Sequence, residues 1–167
     1  MIIIGIDPGY AIVGYGVLKY EGNRFTVLDY GAIQTQAGVE LSRRLEIIYD
    51  ELMVVLLKWK PDVMAVEELF FTTNAKTAIG VGQGRGVILL AGCKCGAKIF
   101  EYTPLQVKQA VVGYGKADKQ QVMELTKRIL GLREVPKPDD TADALAIAVC
   151  HAHSSGSRIG ALMNQIH

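Results

Sequence analysis

Apolar residues open the chain in three short runs bounded by turn residues, a pattern typical of β-strands. Pro8-Gly9 follows the first run and Gly22-Asn23 follows the second. Because both connections are short, we expect the strands to form an antiparallel meander. The three predicted strands cover residues 2–7, 11–20 and 24–35.

The pattern changes after residue 40, where apolar residues recur at steps of three and four. Over residues 41–59 they are interleaved with charged residues, which predicts an amphipathic helix that stops before Pro61. The apolar run at 62–69 has the length of a buried strand. Since a helix precedes it, a crossover connection is available, and we expect this strand to lie parallel to the first.

The segment 74–96 predicts a second helix although four glycines lie within it. Each glycine inside a helix costs about 1 kcal/mol of helix stability relative to alanine, so the presence of four glycines needs a structural explanation. We expect another backbone to approach this helix closely, and a dimer contact is one candidate. The four glycines are Gly80, Gly82, Gly84 and Gly86.

The remaining segments complete an α/β domain. They predict a strand over 97–103, a helical piece or turn at 104–113, and helices over 118–132 and 140–153. A meander followed by a β-α-β unit and further helices indicates three layers, with helices on both faces of a mixed five-stranded sheet. We expect the domain to cover residues 1–154 and the small, polar residues 155–167 to form a flexible tail.

Composition narrows the cellular setting. No apolar run approaches the length of a membrane span, and the N-terminus lacks the basic segment and cleavage site of an export signal. An odd number of cysteines is typical of free thiols in a reducing compartment, so we expect a cytoplasmic protein without a membrane partner. A metal site from Cys93, Cys95 and Cys150 with a nearby histidine is the alternative, but its spacing matches no standard zinc pattern.

Charge is distributed unevenly, although the formal net charge is only +1. Residues 69–133 carry ten Lys or Arg against three Asp or Glu, whereas the segments on either side are net acidic. A basic centre between acidic ends is typical of a protein that holds cations at one place and a polyanion at another. A solvated basic face would produce the same counts.

Three aspartates crowd into the start of the last predicted helix, in the stretch PKPDDTADALAIA at 136–148. Aspartate is a favoured N-cap, and acidic groups in the first turn complement the helix dipole, so capping is one interpretation. Asp140 and Asp143 are also three positions apart and share a helix face. Their carboxylates could therefore converge on one cation.

Two further acids stand where predicted strands end, Asp7 on the first and Glu67 on the fourth. If these strands are parallel neighbours, both side chains emerge at the carboxyl edge of the sheet, where open α/β sheets place their sites. Four clustered carboxylates repel one another unless cations are bound, and oxygen ligands alone favour Mg²⁺ or Mn²⁺. Two such ions would activate water against a phosphodiester, which makes nucleic acid the partner of the basic centre.

Four motifs, in this order, resemble those of the RuvC-type Holliday junction resolvases. The resemblance spans residues 1 to about 154 and implies a ribonuclease H-like fold, a homodimer and metal-dependent cutting. With the donor chemistry above, we expect two Mg²⁺ ions per site, replaceable by Mn²⁺. The resemblance also implies symmetric paired nicks in four-way junction DNA, with 5′-phosphate and 3′-hydroxyl ends, and a branch-migration helicase complex as a partner. The motifs are GIDPGYAIVGYGVL, AVEELFFTTNAKTAIGVGQGRGV, QVKQAVVGYGKADKQQV and DDTADALAIAVCHAH.

The resemblance assigns the acids individually. It leaves Asp139 as an extra acid, which we expect to be the N-cap of the last helix. Glu68 is excluded because alternation along a strand directs it to the opposite face from its neighbour. The acidic metal ligands of the family, which are also its catalytic residues, fall on Asp7, Glu67, Asp140 and Asp143.

Three further positions match DNA-binding residues of the family. Phe70 matches an aromatic that intrudes at the crossover, where its ring could stack on an unpaired base; packing in the core is the alternative for it or for Phe71. Lys108 and Lys119 match basic residues near the site, where they would neutralise phosphate charge. Lys119 could also stabilise negative charge in the transition state. Without the resemblance, both would be ordinary surface lysines.

Two other classes of protein share parts of this pattern. Actin-like or sugar-kinase-like ATPases also run their first strand into a turn with aspartate and glycine, but they need two such domains, and 167 residues supply one. A non-catalytic junction-binding module would gain affinity by losing acids near phosphate, whereas this chain has all four. Magnesium-dependent cutting separates the three classes.

Overall fold

A computed structural model describes residues 1–68 and 75–155, without the side chains of residues 75–77. Phe70 and the tail from residue 156 onward lie outside the described residues. Among the described helices, none combines the length and the apolar character needed to cross a membrane. The elements are β1 (Ile2–Asp7), β2 (Ile12–Glu21), β3 (Arg24–Gln34), α1 (Leu41–Trp59), β4 (Val63–Glu67), α2 (Ala75–Lys94), β5 (Lys98–Tyr102), α3 (Pro104–Val112), α4 (Lys119–Leu130) and α5 (Asp139–Ser155).

The sheet has the strand order β3-β2-β1-β4-β5, with β1 at its centre. The first three strands pair antiparallel, as their short turns predict, and β4 and β5 continue the sheet parallel to β1. The register sets Ile6 beside Val66, so Asp7 and Glu67 leave neighbouring strands at the same edge. The predicted fold class, a mixed five-stranded sheet in a three-layer α/β domain, is confirmed.

Alternation along the strands divides the interior into two cores. Ile3 and Ala65 contribute to the core under α3, α4 and α5, whereas Ile4 belongs to the core under α1 and α2. Asp7 and Glu67 follow Ile3 and Ala65 at even spacings along their strands, so they share the α5 face. Helix α5 lies between this face and the outer helices α3 and α4, which is why residues 144–152 are all buried.

Capping boxes define the start of α3 and α4. The Thr103 hydroxyl accepts a hydrogen bond from the Gln106 N–H at 3.1 Å, and the Gln106 side-chain oxygen accepts one from the Thr103 N–H at 2.8 Å. Asp118 and Gln121 form the same pair of bonds, at 2.8 and 3.0 Å. Such a cap typically contributes about 1 kcal/mol and fixes where the helix begins.

The start of α5 differs from our expectation. Asp139 is the first helical residue, so the N-cap position belongs to Pro138, whose carbonyl accepts a hydrogen bond from the Thr141 N–H at 3.0 Å. The Asp139 carboxylate accepts a hydrogen bond from Lys137 Nζ at 3.0 Å. The prediction that Asp139 caps the helix is therefore wrong; its charge still complements the dipole of the first turn.

The glycines of α2 fall into two groups. A Cβ added to Gly84 would lie 2.8 Å from the carbonyl oxygen of Gly9, whereas one added to Gly82 or Gly86 would meet open space. The backbone that approaches this helix is therefore the chain's own turn after Asp7. The second group leaves a bare stripe on the outer face of the helix.

This division predicts opposite effects for two alanine substitutions in α2. Gly84→Ala is expected to lower the free energy of unfolding by about 1 to 3 kcal/mol, because its methyl group would press on the Gly9 carbonyl. In the monomer, Gly86→Ala should raise it by up to about 1 kcal/mol through helix propensity, because the added methyl group meets open space. Urea unfolding followed by circular dichroism measures both, and midpoint shifts of the same sign would contradict the division.

Candidate active site

Helix α5 rests on the sheet at backbone contact. A Cβ on Gly5 would stand 2.0 Å from the carbonyl oxygen of Ala144, and one on Gly14 would stand 2.0 Å from the carbonyl oxygen of Asp140. Only glycine fits at either position. Since Gly14 pairs with Asp7 in the β1–β2 register, the contact holds the first turn of α5 beside the end of β1.

The acids at this edge perturb one another's protonation. Burial raises the pKa of Asp7 to about 8, together with repulsion from Glu67, Asp143 and Asp140, while Lys119 partly offsets these effects. Burial and the charge of Asp143 likewise raise the pKa of Glu67 to about 7. Charges act this strongly only over short distances. The structure thus places Asp7 within electrostatic range of the other three sequence-predicted acids, Glu67, Asp140 and Asp143.

Lys119 supplies positive charge to this cluster. Its Nζ lies 3.0 Å from Asp143 Oδ2. Burial lowers the pKa of Lys119, but the hydrogen bond and charge of Asp143, with the charges of Asp139 and Asp140, outweigh burial, and the pKa is raised. Burial raises the pKa of Asp143 against the opposing effect of Lys119. One ammonium group therefore leaves most of the negative charge uncompensated.

Four of the predicted residues line one cleft of about 180 Å³, namely Glu67, Lys108, Lys119 and Asp143. Lys108 reaches it because α3 begins directly after β5, whose last residue, Tyr102, pairs with Glu67. Lys119 reaches it as the first residue of α4, just after the cap at its start. Val107, Val122 and Ala146 give the cleft an apolar wall. Acidic and basic side chains therefore face each other across a small space.

The acids suit a divalent cation by their chemistry. They offer only hard oxygen donors. The raised pKa values of Asp7 and Glu67 show that burial, and then repulsion from the neighbouring acids, disfavour the ionised carboxylates, whereas a bound cation would favour them. Within residues 1–68 and 75–155, however, no three Asp, Glu, His or Cys side chains are grouped tightly enough to hold an ion as they lie. The carboxylates would have to turn toward a cation to bind it. The alternative cysteine site is likewise not formed among these residues.

Two features near the cleft were absent from the sequence predictions. Tyr102 and His151 share a buried hydrogen bond of 2.7 Å that joins β5 to α5, and burial lowers the pKa of His151 to about 4, so the ring is neutral at pH 7. Predicting this hydrogen bond from the sequence would require knowing that β5 and α5 are neighbours. The hydrogen bond between Lys137 and Asp139 could have been predicted from the sequence, because the lysine stands only two positions before the acid.

Comparisons with known proteins agree with the motifs. The model of the family described as Crossover junction endodeoxyribonuclease RuvC matches residues 3–151. The chain belongs to the RuvC family. A RuvC from Ruminiclostridium cellulolyticum is 60% identical over 163 residues, which are 98% of this chain and 97% of the relative. The family resemblance predicted from the sequence is confirmed.

Solved RuvC structures share the fold. Thermus thermophilus RuvC superposes with a TM-score of 0.87 at 35% identity, covering 99% of this chain and 98% of that one. The T. thermophilus RuvC in complex with Holliday junction substrate gives a TM-score of 0.86 at 35% identity, covering 96% and 98%. The RuvC aromatic matched by Phe70 stays a prediction, because this residue lies outside the described ranges.

The raised pKa values predict that the protein without divalent cations loses stability as the pH rises. Asp7 and Glu67 have folded-state pKa values of about 8 and 7, above their ordinary values of 3.8 and 4.5, so the folded state retains protons that the unfolded state has released. Stability present at acidic pH is lost as the pH rises through 8. Asp7→Asn should recover on the order of 2 kcal/mol at pH 8.5.

Thermal unfolding in EDTA between pH 6.5 and 9 measures this effect while His151 stays neutral. Asp50→Asn, which removes an exposed acid of α1, is the control and should keep the wild-type profile. An Asp7→Asn profile as steep as that of the wild type would contradict the assigned cluster.

Proposed function

We propose that this chain is a metal-dependent endonuclease that resolves Holliday junctions by symmetric paired nicks, in DNA recombination and repair. The observation that carries the proposal is the convergence of Asp7, Glu67, Asp140 and Asp143 where β1, β4 and α5 meet, in a chain that matches the RuvC family over residues 3–151. A relative of the same fold has been solved with Holliday junction substrate. The expected products carry 5′-phosphate and 3′-hydroxyl ends.

The four acids are the proposed metal ligands. Mg²⁺ suits their oxygen donors, Mn²⁺ should substitute, and two ions per site would balance the excess negative charge. When bound, such ions supply an activated water and stabilise the leaving oxygen of a phosphodiester. The protein contributes the close backbone contact that keeps Asp140 beside Asp7, and it leaves nucleophilic attack to water.

Lys108 and Lys119 are the proposed phosphate ligands at the cleft. Both line it together with Glu67 and Asp143, so a phosphate between the acids and the lysines would meet both signs of charge. Lys119 is also positioned to stabilise charge that develops on the phosphate during cutting. Phe70, just after β4, is proposed to stack on a base opened at the crossover.

A homodimer would give a two-fold junction two equivalent sites. The supporting surface is the outer face of α2, where Ile79 and Leu90 are exposed and lie eleven positions apart, which places them on one side of the helix. Gly82 and Gly86 lie along the same stripe and allow close approach of a partner backbone. A branch-migration helicase complex is proposed as a further partner on the family resemblance alone.

The free cysteines fit a reducing compartment, and we expect the protein to act in the cytoplasm. The match to the RuvC family over residues 3–151 argues against the alternative of an actin-like or kinase-like ATPase. A non-catalytic binding module is the alternative that the cutting experiment must exclude.

Cutting of a labelled synthetic four-way junction with a mobile crossover tests the proposed function. The wild type should give paired, ligatable nicks with Mg²⁺ and none with EDTA, because water activation requires the cations. Asp7→Asn should bind the junction and cut it at least about a hundredfold more slowly, while Asp50→Asn should behave as the wild type. Binding without cutting in either Mg²⁺ or Mn²⁺ would identify a non-catalytic module instead.

Sedimentation equilibrium tests the proposed dimer face. Leu90→Glu should convert the dimer to a monomer, because a charge would be buried against the partner. Leu105→Glu on α3 is the matched control, since both leucines are 54% exposed. A Leu90→Glu variant that remains dimeric would move the interface to another face.

A further inference from the structure

A second cleft, of about 360 Å³, opens beside the first and shares Lys119 with it. Lys137 and Asp139 form one side, and Gln120, Met123 and Glu124 of α4 form the other. The proposed cutting chemistry uses none of these residues except Lys119.

One carboxylate stands between two ammonium groups at this cleft. Asp139 Oδ1 lies 3.0 Å from Lys137 Nζ, and Asp139 Oδ2 lies 3.7 Å from Lys119 Nζ. Lys137 is 75% exposed, and exposed ion pairs of this kind are weak because water screens both charges. A stronger anion can therefore displace the carboxylate.

The other acid at the cleft is already engaged. Glu124 forms an ion pair with Lys127 at 2.8 Å, one turn along the same helix. Lys119 in turn contacts both Asp139 and Asp143, so it stands at the boundary between the two clefts. An anion held by Lys119 and Lys137 would lie directly beside a phosphate held among the catalytic acids.

We propose that this cleft binds a backbone phosphate of the strand being cut, next to the scissile phosphate, with Lys137 and Lys119 as its ligands. Asp139 is the internal anion that this phosphate displaces. The inference rests on the proposed function, because the ligand is the DNA backbone of the same substrate. Lys137 is a positioning residue: it sets the register of the strand and does not touch the reacting atoms.

Junction binding in EDTA, where no cutting occurs, tests the proposal. Each phosphate contact adds about 0.9 to the slope of the logarithm of affinity against the logarithm of salt concentration. Lys137→Ala should bind about fivefold to tenfold more weakly, as expected for one lost contact, with a slope shallower by about one. Lys137→Arg should keep the wild-type slope. Asp139→Asn should bind several-fold more tightly, because the competing anion is gone.

Lys98→Ala is the matched control. Lys98 is an exposed lysine at the start of β5, so it lies at the opposite end of the parallel strands from the carboxyl ends that carry the acids. A Lys137→Ala slope equal to that of Lys98→Ala would overturn the phosphate site, and weaker binding by Asp139→Asn would overturn the displaced-anion role. A wild type that binds no junction would refute the proposed function itself. If the wild type binds the junction and Lys137→Ala binds it with the same affinity and salt slope, only this inference is refuted.

Discussion

The contact between helix α5 and the glycines of the two central strands is the constraint on which the rest of the structure depends. At Gly5 and Gly14 the helix backbone occupies space that any larger residue would need. The helix is held from its other side by α3 and α4, so it cannot move outward without opening a core. Packing and chemistry are therefore coupled, because the same contact that fills the core sets Asp140 beside Asp7.

This coupling explains why the carboxylates tolerate an unfavourable arrangement. Acids on flexible loops would separate to relieve their repulsion, whereas Asp7 and Glu67 end neighbouring strands and Asp143 belongs to a buried helix. Burial, together with this repulsion, raises the pKa values of Asp7 and Glu67 instead. Packing energy from a large apolar interior holds the charges in place, and a bound cation would return part of that cost. Parts of the protein outside the cleft therefore fix the backbone positions of the acids, while their carboxylates would still have to turn to bind a cation.

Most of the architecture was accessible from sequence because it follows local rules. Turn residues marked the meander, three- and four-residue spacing marked α1, and the crossover helix implied that Asp7 and Glu67 share an edge. Features that depend on distant neighbours were not accessible. Gly84 makes room for the turn after Asp7, and no spacing within α2 reveals this contact. The Tyr102–His151 hydrogen bond joins segments that are far apart in the chain. The capping role of Asp139 failed because Pro138 already stands at the N-cap position.

The order of the elements along the chain also sets the order in which the residues of the site are synthesised. During synthesis the ribosome releases β1 first and α5 last of the described elements, so the central strand must wait for the helix that covers it. A chain interrupted between residues 103 and 138 would contain the whole sheet yet lack Asp140 and Asp143, two of the four proposed ligands. Half of the proposed ligand set is therefore added only after the sheet is complete.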